Sequence, residues 1–194
     1  MNASPNTDLP QLWLLRHGET EWSKSGQYTG LTDLPLTEEG ERQALRAGGV
    51  LKGVEFREVF TSPLQRARRT AELAGFPDAQ LEPDAVEWNY GDYEGVNSAD
   101  VRAKNPGYLI WTDGVPNGET IDEVAERADR IVERVRSGGA GDVLLVAHGH
   151  FCRILAARWL ELDPVEGRHF LLGTARVCTL GWDKKTPAVV SWGL

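Results

Sequence analysis

Cysteine is nearly missing from this chain of 194 residues. The two present, Cys152 and Cys178, make neither a CxxC pair nor a disulfide framework, which fits a reducing compartment and reads both as structural thiols. Positive charge is also short. Lys and Arg number 21 against 29 Asp and Glu, a formal charge of -8, so an extended nucleic-acid surface is excluded and any anion site has to be local. No apolar run is long enough to span a bilayer, and the opening MNASPNTDLP lacks both the basic start and the apolar core of a signal peptide. A cytoplasmic location with no membrane partner is expected. There is no Walker loop and no GxGxxG, so a nucleotide cofactor has no support. Internal repeats, low-complexity runs and linkers are missing too, which predicts one domain over residues 1–194.

What is present is an ordinary globular composition, 41% hydrophobic and 26% charged, enough for one good core. Strand-like segments at Gln11–Leu15, Glu58–Thr61 and Asp142–Ala147 alternate with long helical patterns, the signature of an α/β fold with a largely parallel sheet. Thr37–Lys52 reads as helical, although Gly40, Gly48 and Gly49 weaken it. A second helix is predicted with Ser62 as N-cap, Pro63 at its first position and Gln65 closing a capping box, running to Leu73. Thr120 to Glu123 is another capping box, after which Ile121, Val124, Ala125, Ala128, Ile131, Val132 and Val135 recur at helical spacing. The other face of that helix, with Glu126, Arg127, Asp129 and Arg130, reads as solvated. The apolar run Val143–Ala147 leads into a helical pattern from Phe151 to Leu160, leaving His148 at a strand-to-helix junction. Arg176–Trp182 and Ala188–Trp192 read as a hairpin closing one edge of the sheet.

The run QLWLLRHGETEW, Gln11–Trp22, stops an apolar strand abruptly at Arg16, His17, Gly18 and Glu19. Ligands of open α/β sheets bind beyond the carboxyl ends of the strands. Here that place offers a planar fork of donors suited to phosphate and an imidazole that is neutral and nucleophilic near pH 7. His148 follows a second strand and Arg66 lies in the first turn of the helix after a third, so two cations and two imidazoles are expected to converge on one anion pocket. Phosphoryl transfer calls for that arrangement, because three equatorial oxygens carry the charge while nucleophile and leaving group lie in line. Paired arginines bind those oxygens bidentately without a metal. Attack by His17 requires its other ring nitrogen to donate to a carbonyl, leaving the attacking nitrogen bare. The leaving oxygen needs a proton, for which VEWNYGDYEG offers Glu87 and Glu94; the residues alone leave both open.

LLRHGETEW, TSPLQRARRTA, EWNYGDYEG and VAHGHFCR stand in the order and approximate separation of the histidine phosphatase superfamily, and the chain resembles that family from Leu12 to the end of the helix after His148. The resemblance implies a phosphoglycerate mutase-like fold, a three-layer α/β sandwich with a mostly parallel central sheet flanked by helices. It implies that His17 becomes phosphorylated, that Arg16 and Arg66 bind the phosphoryl group, and that His148 and Gly149 complete the pocket. Glu87 falls on the family's acid in Glu-x-x-Tyr-Gly, with Tyr90 and Gly91, and Glu94 becomes a structural partner of Gly95. The implied enzyme is a metal-independent phosphomonoesterase without cofactor, whose partner is a small phosphorylated metabolite, such as sedoheptulose-1,7-bisphosphate or fructose-1,6-bisphosphate, or inorganic phosphate.

Cofactor-dependent phosphoglycerate mutases of this family carry an additional basic segment where Val96–Glu119 here offers only Arg102 and Lys104, and an asparagine where this chain has Ser23. Hydrolysis is therefore favoured. The unbroken run from Thr20 to Thr37 is similar to the sugar-bisphosphatase branch typified by sedoheptulose-1,7-bisphosphatase. That resemblance points to Ser23, Tyr28, Thr29, Gly30, Tyr90 and Arg153 around a phosphorylated polyol, with Arg153 or Lys24 meeting a distal phosphate. A broad acid phosphatase, a cofactor-dependent phosphoglycerate mutase and a catalytically silent phosphate-binding or interaction module are the alternatives, and a homodimer stays open. His148, His150 and Cys152 alternate as metal ligands do on a strand, yet Gly149 and the helical pattern break the alternation, so no metal site is expected. His169 is read as a packed or surface histidine, Arg68 as solvent-facing, and Trp88 and Trp111 as walls of the pocket.

Overall fold

A strand covered on both faces has to offer apolar side chains at every position, and the central strands of this chain do so. The computed structural model describes residues 9–194, so nearly all of the segment read above for a leader lies outside the described residues. In chain order the elements are β1 (Leu12–Arg16), α1 (Glu21–Ser25), α2 (Glu38–Leu51), β2 (Phe56–Thr61), α3 (Gln65–Leu73), the two-residue β3 (Gln80–Leu81), α4 (Ser98–Lys104), α5 (Ile110–Asp113), α6 (Ile121–Ser137), β4 (Asp142–Ala147), α7 (Gly149–Trp159), β5 (Val177–Asp183) and β6 (Thr186–Trp192). The sheet runs β3-β2-β4-β1-β5-β6, with the first four strands parallel and the β5–β6 hairpin antiparallel at the edge beside β1. This is the expected flanked sheet with its closing hairpin. No helix among the described residues is long and apolar enough to cross a membrane.

The strands divide the core by alternation. Leu12 and Leu14 of β1 with Val143, Leu145 and Ala147 of β4 face one layer, where they meet Ala128 and Ile131 of α6 and Phe151 and Leu155 of α7. Leu15, Leu144 and Val146 point the other way, onto Ala47 and Leu51 of α2 and Ala67 and Ala71 of α3. Cys152 and Cys178 are both free and buried. The Thr120–Glu123 capping box on α6 forms as predicted.

Two expectations are corrected. Helix α3 begins at Gln65 with Leu64 in the cap position, so Ser62 and Pro63 stand outside it. The cap arrives from a distant loop instead: Gln65 N–H donates to Asp33 Oδ1 at 2.7 Å, and the Gln65 amide returns a bond to the Asp33 carbonyl at 2.6 Å. The Ser62 hydroxyl keeps only the Leu64 N–H, at 3.3 Å, ahead of the helix. The second correction concerns Arg127, whose side chain is only 11% exposed and leaves the solvated face of α6 to pair with Glu119. Its neighbour Arg130 behaves as expected, lying on the surface beside Asp84.

Candidate active site

Arg16 of β1 lies opposite Ala147 of β4, so the chain leaves these adjacent strands side by side and His17 and His148 emerge together. From β1 the connection runs past β4 to β2, whereas from β4 it runs past β1 to β5; this reversal of strand order opens the crevice in which ligands of such sheets bind. The His17 amide donates to the Ala147 carbonyl at 2.9 Å, and the two imidazole centroids are 5.2 Å apart. The turn after His17 is clamped from both sides. Gly18 N–H donates to Thr70 Oγ1 at 3.0 Å, and a Cβ on Gly18 would lie 2.3 Å from the Gly40 carbonyl oxygen, so only glycine lets α2 approach this closely.

The hydrogen bonds fix both tautomers. His17 Nδ1 lies 2.7 Å from the Gly18 carbonyl, which only accepts, so the proton sits on Nδ1 and Nε2 is bare. Burial, reinforced by Arg66 and Arg16, holds the His17 pKa well below its ordinary 6.5. Arg66 Nε–H donates to His148 Nδ1 at 3.2 Å, which puts the His148 proton on Nε2, from where it reaches Ser62 Oγ at 2.8 Å. Burial and Arg66 depress the pKa of His148 as well. With both nitrogens engaged, a phosphoryl contact by His148 exchanges one of these bonds.

The two arginines differ. Arg66 is fully buried and spends its donors on the carbonyls of Thr32 at 2.8 Å, Gly30 at 2.7 Å and Thr29 at 3.3 Å besides His148. Arg16 gives Nη1 to the Leu172 carbonyl at 2.6 Å and leaves its buried Nε without a hydrogen-bond partner. An orphaned buried guanidinium nitrogen is costly unless a ligand completes it. Arg16 thus lines the cavity with only Nη1 bonded to the protein, while Arg66 is tied to the loop through residues 29–32. That loop is held from its other side by Glu94, whose carboxylate accepts Gly30 N–H at 2.9 Å and Thr32 N–H at 3.1 Å. Glu94 is structural, as the resemblance implied, but its partners are Gly30 and Thr32 rather than Gly95.

Glu87 is 5% exposed, and its carboxylate accepts three backbone N–H groups: Trp88 at 2.9 Å and, at the N-terminus of α7, Phe151 at 2.9 Å and His150 at 3.1 Å. It faces a cavity of about 340 Å³ that also takes in Arg16, His17, Ser23, Tyr28, Thr29, Tyr90, Gly149 and Arg153. Arg66, His148 and Gly30 lie behind that lining. Gly30 has no donor left for a substrate, since its amide is spent on Glu94. The Ser23 hydroxyl is engaged in its own helix cap with Thr20 at 2.9 and 3.0 Å. Lys24 is exposed and outside the lining, which leaves Arg153 of the two distal-phosphate candidates. Arg153 lies over the Trp111 ring at 4.5 Å, and its pKa falls to about 10 through burial. Trp111 walls the cavity, whereas Trp88 is wholly buried beneath it. Arg102 and His150 also line the cavity and were not anticipated there. The signal for Arg102 was its position as one of two cations in a short segment, and for His150 its place in the first turn after His148.

A bare imidazole nitrogen, an open guanidinium and a fixed carboxylate around one cavity are what transfer of a phosphoryl group to histidine needs. The model of the histidine phosphatase superfamily (branch 1) matches residues 12–194. An acid phosphatase of Mycobacterium tuberculosis is 39% identical over 187 residues, 95% of this chain and 92% of its own length. Sedoheptulose 1,7-bisphosphatase of Saccharomyces cerevisiae is 40% identical over 185 residues, 79% of this chain and 68% of its own. Among solved structures, the product of open reading frame Rv3214 from Mycobacterium tuberculosis superposes with a TM-score of 0.89 at 39% identity, covering 95% of this chain and 97% of that one. This chain belongs to the histidine phosphatase superfamily, and it is a phosphatase of that family.

Proposed function

We propose that the protein is a metal-independent phosphomonoesterase that works through a phosphohistidine on His17, with a small phosphorylated sugar as substrate. The observation that carries this reading is that His17, with its Nε2 unprotonated, and Arg16, with its Nε unpartnered, line one cavity. His17 Nε2 attacks phosphorus and the ester bond breaks; Glu87 passes a proton to the departing alkoxide. Glu87 then takes a proton from a water that attacks the phosphohistidine, which releases inorganic phosphate and restores both groups. Arg16 holds equatorial oxygens, Arg66 fixes the 29–32 loop and His148, and Gly149 leaves room for Arg16, since a Cβ there would lie 3.1 Å from its guanidinium carbon.

Several features support a sugar phosphate. The outer cavity is lined by Tyr28, Tyr90, Tyr108 and Trp111, whose faces suit a polyol, and by Arg102 and Arg153, which suit a second phosphate. The yeast relative is a sugar bisphosphatase by name. We take the site of action to be the cytoplasm, in keeping with two buried free thiols. The test is phosphate release from sugar bisphosphates, sugar monophosphates and phosphoglycerates, with and without chelator, for the wild type and His17→Ala. Rapid chelator-insensitive release from a sugar bisphosphate, lost in H17A, is the expected result. Slow release from every ester makes the protein a generalist acid phosphatase.

A further inference from the structure

The chemistry above leaves a second imidazole in the cavity, besides His17, without a task. His150 stands in the first turn of α7, where its backbone N–H holds Glu87 at 3.1 Å. Its ring turns toward the aromatic wall, with Tyr90 Oη 2.5 Å from Nδ1 and the Trp111 ring edge-on at 5.1 Å. Burial and the nearby Glu87 keep the Tyr90 phenol protonated, and its O–H has no other acceptor among the described residues. It therefore donates to Nδ1, which puts the His150 proton on Nε2. That nitrogen has no partner among the described residues, and the half-buried His150 lines the cavity. The charged groups facing the ring are Arg16 from β1, Arg153 from α7 and Glu87; burial and the two arginines bring its pKa down to about 3.

The phosphoryl group sits against His17 and Arg16, and Glu87 has to reach the ester oxygen. A residue tied to the Glu87 carboxylate but facing Tyr90 and Trp111 thus lies on the alcohol side of that ester. An uncharged N–H suits an uncharged oxygen there, whereas a distal anion would take a guanidinium. We propose that His150 is a specificity-determining residue, whose Nε2–H, oriented by Tyr90, donates to a hydroxyl or ring oxygen in the alcohol portion of a phosphorylated polyol. The proposal rests on the phosphatase reading above.

Two substitutions separate the ends of the ring. H150N keeps an acceptor for Tyr90 and gives up the cavity donor, while H150Q carries an amide N–H out to the Nε2 position. The ratio of kcat/KM for a sugar monophosphate to that for an aryl phosphate without hydroxyls is expected to fall roughly tenfold in H150N and to recover in H150Q. Equal losses on both substrates, or H150Q behaving like H150N, would overturn the proposal while leaving the phosphatase reading intact. Wild-type protein inactive on both esters would overturn the two together. Nitrogen NMR of the imidazoles in the wild type needs no variant to fold: a bare Nδ1 and a protonated Nε2, unchanged from about pH 5 to 8, is expected. An Nδ1-protonated or titrating His150 contradicts it.

Discussion

Arg127 grips Glu119 at two points, Nε to Oε1 at 2.9 Å and Nη2 to Oε2 at 3.0 Å, and together they suspend the segment that carries Glu87. Glu119 Oε2 accepts Asn89 N–H at 2.9 Å, and its main-chain carbonyl takes the Trp88 indole at 2.7 Å. The remaining Arg127 nitrogen donates to the carbonyls of Asp84 at 2.6 Å and Val86 at 3.1 Å. Both sides of Glu87 are thus tied to one guanidinium.

Arg127→Met should loosen that segment. Leaving Glu119 half-buried and unpaired is expected to cost about 3 kcal/mol in urea unfolding, and a misplaced Glu87 about 100-fold in kcat. Lysine supplies a charge without the two-point fork, so R127K should fall between. Full kcat in a folded R127M would show that Glu87 is held without this pair.

Arg16 contributes through donors that no protein group occupies, so its loss should appear in anion binding. Phosphate or vanadate is expected to raise the wild-type melting temperature and to leave that of Arg16→Lys little changed. Loss of the fork should lower kcat by roughly 100- to 1000-fold, about 2.7–4 kcal/mol of transition-state stabilisation. An R16K protein with the wild-type thermal shift would move the anion contact elsewhere.

His17 and His148 are buried and His150 half-buried, all three with depressed pKa values, His150 to about 3. Unfolded, each titrates near 6.5, so below that pH the unfolded chain binds more protons than the folded one. Their contribution to stability is therefore complete above about pH 6.5 and drains as the pH falls, by up to about 1.4 kcal/mol per pH unit for each ring. Urea midpoints measured downward from pH 7 should decline with that sign. For the same reason the imidazole nitrogen NMR signals of His17 in the free enzyme should not titrate near pH 6.5; a clear inflection there would mean that His17 titrates normally.

The sheet and its junctions were legible because apolar runs and the 3.6-residue period are local, and Arg16, His17 and His148 sit at strand ends by sequence position alone. The partner roles were less so. Ser62 looks like an N-cap in its own segment, yet its hydroxyl serves His148, while Asp33 caps α3 from 32 residues away. Arg127 sits on the polar face of an amphipathic helix and is drawn inward by Glu119, which no helical wheel contains. Arg66 and Arg16 read as an equivalent pair, whereas the carbonyls of residues 29–32 occupy only Arg66. Each miss is a long-range hydrogen bond, invisible to periodicity.

The covalent intermediate is the claim on which the rest depends. The protein mixed with a radiolabelled phosphomonoester and quenched in alkali within the first turnover should carry acid-labile phosphate on His17, up to one per chain. With an aryl phosphate, whose leaving group needs no proton from Glu87, Glu87→Gln should raise the trapped fraction by slowing hydrolysis of the phosphohistidine, and H17A should carry none and turn over no substrate. Steady turnover with no label on His17, or an active H17A protein, would contradict the account.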